Sequence, residues 1–290
     1  MAFDNIPRTH CFSLGDLHEY DRCVFSFFVK HHLGKKYELA EGNANQVIGT
    51  LLDIAMKKLH QTQAYDQPPE YLQNLVKAAE RIIREDVEKR GKNSFYGAQI
   101  EFLTEETILK AQEIFKKYTE NLAGKYKKYV QTAISQRPKP FWERVIASQQ
   151  SLKLWGAPDA IEMGEDGIPE VVDYKYFEDL ERAQKNIDMD LMPKVYTLLC
   201  AQDLQESGYS RVRFKVRFWQ DPKNESFYEE FDLLTAQNLE NFLKDKIERI
   251  LRTTEISFCE KAYCQVCLHP DRPKWLQELA DKGFSKLWKE

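Results

Sequence analysis

Two carboxylates and one ammonium group stand close together in residues 156–175, GAPDAIEMGEDGIPEVVDYK. They are Asp159, Asp173 and Lys175, on what reads as two short strands joined by the polar turn GEDGIP. A hard divalent cation prefers oxygen ligands, which Asp159 and Asp173 can supply, with the backbone carbonyl of Tyr174 as a third. Lys175 falls two residues after Asp173 and so points to the same side of a strand. There it can orient an attacking water or neutralise charge developing on a phosphate. The plain alternative for D-x-K is a surface ion pair. A second group is formed by Cys259, Cys264 and Cys267, which crowd into nine residues at metal-ligand spacing and need a fourth ligand from elsewhere. Unrelated buried thiols are the plain alternative there.

The elements that must hold these residues follow from periodicity. Leu14, Leu17 and Tyr20 mark a short first helix, followed by an aromatic run through Phe25, Phe27 and Phe28. A second helix, about 46–60, has a broad apolar face from Val47 to Leu59, with Asp53 off its centre and His60 read as a surface residue. Two longer helices are expected near 70–89 and 105–135. The prolines of RPKPF then end the helical part. WERVIASQ, SLKLWGAPDAIEM and EVVDYKYF read as a meander of three adjacent strands. A helix over about 178–207 follows, with Pro193 suited to a first turn. RVRFKVRFW alternates strictly, Arg211, Arg213, Lys215 and Arg217 on one face, which predicts a half-buried strand whose cations face solvent. ESFYEEFDL is its antiparallel partner, and a helix over about 235–251 precedes the cysteines.

Composition narrows the class. The chain has 290 residues, 42% of them hydrophobic, and a net charge of −4, so attraction to phosphate must be local. No run approaches the ~18 apolar residues of a membrane span, and MAFDNIPRTH lacks the apolar stretch of a signal peptide. A soluble, cytoplasmic protein with no membrane partner is expected, its six cysteines kept as thiols.

The stretch with Pro158-Asp159 and Asp173-Tyr174-Lys175 resembles the PD-(D/E)XK nuclease superfamily. G-x-P-D followed by V-V-D-Y-K is most similar to its RecB-like branch, which includes the Cas4-like proteins. The resemblance implies an acid on the preceding strand, matched by Glu143, and a helix beginning G-x-x-x-H, matched from Gly49 to Asp53 with Asp in place of His. It also implies Q-x-x-x-Y on the following helix, matched by Met192 to Tyr196 with Gln absent. Lys194 or Gln202 are the residues that could compensate. Tyr20, Cys23 and Phe27 resemble the N-terminal cysteine motif of iron–sulfur nucleases, which implies that Cys23, Cys259, Cys264 and Cys267 hold a [4Fe–4S] cluster. Four thiolates would equally satisfy Zn²⁺.

The expected fold is therefore α/β (α+β): a restriction-endonuclease-like core with a mixed central sheet flanked by helices. The divisions expected are 1–60 for N-terminal helices, 61–140 for a helical insertion, 141–255 for the nuclease core and 256–290 for the cysteine cluster and tail. The implied activity is Mg²⁺- or Mn²⁺-dependent hydrolysis of DNA, as an exonuclease on single-stranded or frayed ends. Asp53, Asp159, Asp173 and Tyr174 would hold the metal, and Glu143, Lys175 and Tyr196 would assist. Protein partners in repair, recombination or CRISPR adaptation are implied as well. The alternatives are a weakly active or inactive DNA-binding scaffold of the same fold, or a zinc-stabilised interaction module.

Overall fold

The computed structural model describes residues 11–35, 42–91, 94, 96–122, 142–147, 152–156, 158–181, 187, 190–221, 223, 228–259 and 264–286. Of these, 11, 69, 122, 142–147, 152, 153, 155, 285 and 286 are described by backbone alone.

In chain order, β1 (Cys11–Ser13) leads into α1 (Leu14–Arg22) and α2 (Val24–His31). Ser13 and Asp16 form a reciprocal capping box that starts α1. Cys23 breaks the helix in an extended conformation, and its Sγ accepts from the Ser26 N–H that opens α2. The side chain of Asn43 caps α3 (Ala44–Thr62), which stops at Gln63 with φ of 52°. Pro69 occupies the first turn of α4 (Pro69–Arg90), and Gly91, at φ 57°, ends it. A 3₁₀ turn, Gly97–Phe102, leads to α5 (Glu105–Leu122). The continuation expected to 135 lies outside the described residues.

The strands follow: β2 (Trp142–Ala147), β3 (Leu152–Gly156), β4 (Ala160–Met163) and β5 (Pro169–Lys175). Then come α6 (Met192–Glu206), β6 (Arg211–Phe218), β7 (Tyr228–Asp232), α7 (Ala236–Arg252), β8 (Glu255–Ile256), α8 (Gln265–Leu268), α9 (Arg272–Asp281) and β9 (Ser285–Lys286). Residues 182–186, part of the helix expected from 178, lie outside the description. Pro193 does sit in the first turn of α6.

The three-strand meander expected from sequence is corrected. β2 and β3 pair with each other in a sheet of order β1-β3-β2, whereas β4 and β5 open a separate sheet of order β4-β5-β6-β7. The break falls between Gly156 and Ala160, where Pro158 has no N–H to give to a ladder. The second sheet is mixed: β4 and β7 run antiparallel to their neighbours, and β5 and β6 pair in parallel, with α6 as the crossover element. Gly167, at φ 80°, closes the β4–β5 turn, helped by the Gly164 N–H donating to the Ile168 carbonyl. This mixed four-stranded sheet with flanking helices is a restriction-endonuclease-like α/β fold.

The chain packs as two units that interleave along the sequence. One takes 1–40, 142–156 and 237–290; the other takes 41–141 and 157–236. Residues 1–60 are therefore shared between the two units. In the second, α3 buries Val47, Ile48, Leu51, Leu52, Ala55, Met56 and Leu59 against α4, α5 and the sheet residues Val172, Tyr174 and Trp219. The opposite sheet face packs on α6, where Tyr196 stacks on Phe214. With both faces covered, β5 is buried over six of its seven residues, as a parallel-paired central strand should be. In the first unit, Phe25 packs on Phe258 and Phe28 on Phe284, so α2 meets the C-terminal segment through aromatic rings.

Candidate functional site

Pro158 ends one strand region, and Asp159 stands just before β4. Its N–H donates to the Val172 carbonyl, while its Oδ2 accepts the Tyr174 N–H at 2.9 Å. The main chain of β5 thus fixes the Asp159 carboxylate and leaves Oδ1 turned elsewhere. Asp173 is buried on β5, and Lys175, two residues on, places Nζ 2.7 Å from Asp173 Oδ2. Helix α3 brings two further groups. It passes the end of β5 closely, since a Cβ added at Gly49 would lie 3.7 Å from Tyr176 Cβ. One turn later comes Asp53, and one turn after that Lys57, whose Nζ is 3.5 Å from Asp159 Oδ1.

Electrostatics ties the five together. Burial, then the Asp159 charge, pushes the Asp53 carboxyl well above the usual carboxylate range, against the pull of Lys57 and Lys175. Asp173 is also raised, by burial first; Lys175 opposes this and Asp159 adds to it. Burial works against the Lys175 charge, yet Asp173 and Asp159 hold its pKa above the ordinary lysine value. Lys57 is raised in the same way against burial, by Asp159 and Asp53. Tyr196 on α6 feels the same carboxylates: burial, then Asp173, Asp159 and Asp53, keep its hydroxyl protonated far above the normal range.

A cation fits this arrangement. Asp53 Oδ1 is buried without a hydrogen-bond partner among the described residues, and the acids repel one another enough to favour protons. An all-carboxylate oxygen set suits Mg²⁺ or Mn²⁺.

Of the residues expected at this site, Asp53, Asp159, Asp173, Lys175 and Tyr196 come together. Tyr174, expected to serve through its main-chain carbonyl, lies between two of them, and its side chain turns to the other sheet face, where its hydroxyl donates to Glu162 at 2.8 Å. Glu143 is on β2, in the other unit, and its side chain is outside the described ones. Met192 is buried at the start of α6; Lys194 pairs with Asp190, and Gln202 donates to Glu206. Lys57 was missed by the sequence reading, although its position four residues after Asp53 puts it on the same helix face. His60 is corrected: its Nε2 is buried, its ring hydrogen-bonds Tyr65, and burial lowers its pKa.

The other unit holds the four cysteines. Cys23, Cys259, Cys264 and Cys267 place their Sγ atoms within 4.8 Å of one another. Cys23 and Cys267 are 3.5 Å apart, Cys259 and Cys267 3.8 Å. The contact with Cys267 draws the Cys23 thiol down to about 5 despite burial, aided by the Ser26 N–H, and raises Cys267 in turn. This set can hold a metal ion. Cys200, buried in α6, is pushed up by burial and takes no part.

Carboxylates and lysines gathered beside a mixed, helix-covered sheet are groups that could hold a hard cation next to an anionic substrate. The model of the PD-(D/E)XK nuclease superfamily matches residues 11–272, and the chain belongs to that superfamily. Its members are generally nucleases that use divalent metals, so a nucleic-acid substrate follows. No curated protein sequence matches the chain.

Proposed function

We propose that the protein is a metal-dependent deoxyribonuclease of the RecB-like, Cas4-like branch that acts as an exonuclease on single-stranded or frayed DNA ends. The observation that carries this reading is the convergence of Asp53, Asp159, Asp173 and Lys175 in one cluster. Asp53, Asp159 and Asp173 would hold Mg²⁺ or Mn²⁺, which when bound supplies Lewis acidity toward the phosphodiester and a more acidic water. Lys175 stays protonated, because its neighbours raise its pKa, so it acts as a charged donor to the phosphate and not as a base. Tyr196 keeps its proton and can donate from the α6 side. Asp159 keeps one orientation through the Tyr174 N–H, which reduces the ordering needed when substrate binds.

The four cysteines belong to the same reading, as a structural metal centre in a reducing cytoplasm. The branch resemblance points to [4Fe–4S]. The close Sγ packing favours a single tetrahedral ion such as Zn²⁺, for which bonds of ~2.3 Å put sulfurs about 3.8 Å apart. Iron, sulfide and zinc analysis of anaerobically purified protein decides between them.

The test of function uses end-labelled single-stranded, double-stranded and RNA substrates with Mg²⁺ or Mn²⁺. Wild type should shorten single-stranded DNA from an end, and Lys175→Ala and Asp173→Asn should each lose about 10²-fold or more in rate. A folded, metal-loaded wild type that degrades nothing would leave only the scaffold alternative.

A further inference from the structure

Asp159 divides its two oxygens between different partners. Oδ2 accepts the Tyr174 N–H at 2.9 Å, which leaves Oδ1 the freer oxygen for a cation. In the structure Oδ1 faces Lys57 Nζ, at 3.5 Å. This pair is looser than the 2.7 Å pair of Lys175 with Asp173, and the Lys57 side chain is more open, 45% exposed against 33%. Lys57 therefore has room to move on its flexible stem, while α3, whose apolar face is buried, fixes where the stem starts.

Charge points the same way. With all three acids ionised, Asp53, Asp159 and Asp173 against Lys57 and Lys175 leave one negative charge. A divalent cation turns this into one positive charge, which a single phosphodiester neutralises. Without Lys57 the loaded site would carry no net charge to attract the substrate.

We propose that Lys57 is a substrate-binding cation that competes with the metal for Asp159 Oδ1 and, once displaced by it, contacts the scissile or adjoining phosphate. Metal binding thereby makes the site ready for the polyanion, and metal should bind before substrate. This inference rests on the nuclease reading above and deepens it.

The test separates the two halves of the idea. Mn²⁺ binding to metal-free protein is measured by electron paramagnetic resonance without DNA, and KM for single-stranded DNA is measured at saturating Mn²⁺ over a range of salt. Lys57→Gln should bind Mn²⁺ about threefold more tightly, because a partly exposed competing ion pair is gone. Its KM should rise about tenfold, and the slope of log KM against log salt should fall by about one. Lys57→Arg should stay within about twofold of wild type in both. Lys57→Met, which keeps the stem, carries the same expectations if the Gln variant does not fold. Unchanged or weaker Mn²⁺ binding, or unchanged KM and salt slope, overturns the proposal. Failure of wild type to cleave would instead count against the nuclease reading, while the Mn²⁺ titration would still test the competition.

Discussion

Asp53 is an acid placed among acids, and burial with the Asp159 charge raises its pKa against the pull of Lys57 and Lys175. Its folded pKa lies above the unfolded value of ~3.9, so its contribution to stability is present at low pH and is lost as pH rises through the folded value. At neutral pH, metal-free protein carries that cost. Asp53→Asn should therefore raise the metal-free melting temperature at pH 7, by roughly 2–4 °C if about 1 kcal/mol is recovered. The gain should shrink as pH falls toward the ordinary carboxylate range. The same variant should lose most of the stabilisation that Mn²⁺ gives wild type. A metal-free Asp53→Asn protein that melts lower than wild type at pH 7 would count against this account. Since Asp53 and Asp173 must shed protons to ligate, wild-type Mn²⁺ affinity should also rise with pH, which titration at several pH values checks. Asp173 and Lys175 were legible as a pair because strand alternation alone places D-x-K on one face, and the two side chains meet at 2.7 Å. Lys57 was not, because helix register says which side a lysine leaves from but not which carboxylate waits there.

At the scale of elements, β6 shows how a correct period can be joined to a wrong face. The alternation of RVRFKVRF does form a strand, and Arg211 is exposed as expected, but Arg213, Lys215 and Arg217 are turned into ion pairs within the sheet. Arg217 meets Glu162 at 2.6 Å and Glu170 at 3.2 Å; Lys215 meets Glu170 at 2.9 Å; and Arg213 joins Glu170, Asp166 and Glu230. Glu162 and Glu170 are both buried. The partners come from β4, β5, their turn and β7, so the network zips the mixed sheet together beneath the helices. Composition could not show this, because the pairing depends on strand order. Burial disfavours the Glu162 charge, yet Arg217 and then His60 hold its pKa below the usual value. Its contribution is thus present above the ordinary glutamate pKa and lost as pH falls through the lower folded one. Arg217→Met should cost about 3–5 kcal/mol at neutral pH by stranding buried carboxylates, and the loss should shrink as pH falls and those carboxylates take up protons. Adding Glu162→Leu should restore much of the loss. Urea unfolding of the two variants decides this, and a single variant as stable as wild type would show that the network carries little.

For the whole molecule, what the sequence could not reveal was the interleaving of the two units. Three separated segments form the first, and membership is decided by contacts across more than two hundred positions, which no local pattern records. The cysteines were legible because thiolates at short spacing have few other uses. The structure shows what they join: Cys23, where α1 gives way to α2, with Cys267 in α8, 244 positions away. Tyr20 with Thr253, the Phe25 N–H on the Ser257 carbonyl, and Lys246 with Asp21 fasten the same two stretches. A metal there closes a long loop whose entropy the surrounding contacts must otherwise meet alone. Stripping the centre with a chelator, or Cys23→Ser, should therefore speed amide hydrogen exchange in α1, α2, α8 and α9. Exchange in β4, β5 and β6, which belong to the other unit, should change little. Thiol labelling gives a second measure: Cys23, Cys259, Cys264 and Cys267 should become reactive on stripping while Cys200 stays protected by burial. If metal removal leaves exchange in α1 and α2 unchanged, or loosens β5 as much as α1 and α2, the cysteines are not the fastening of this unit.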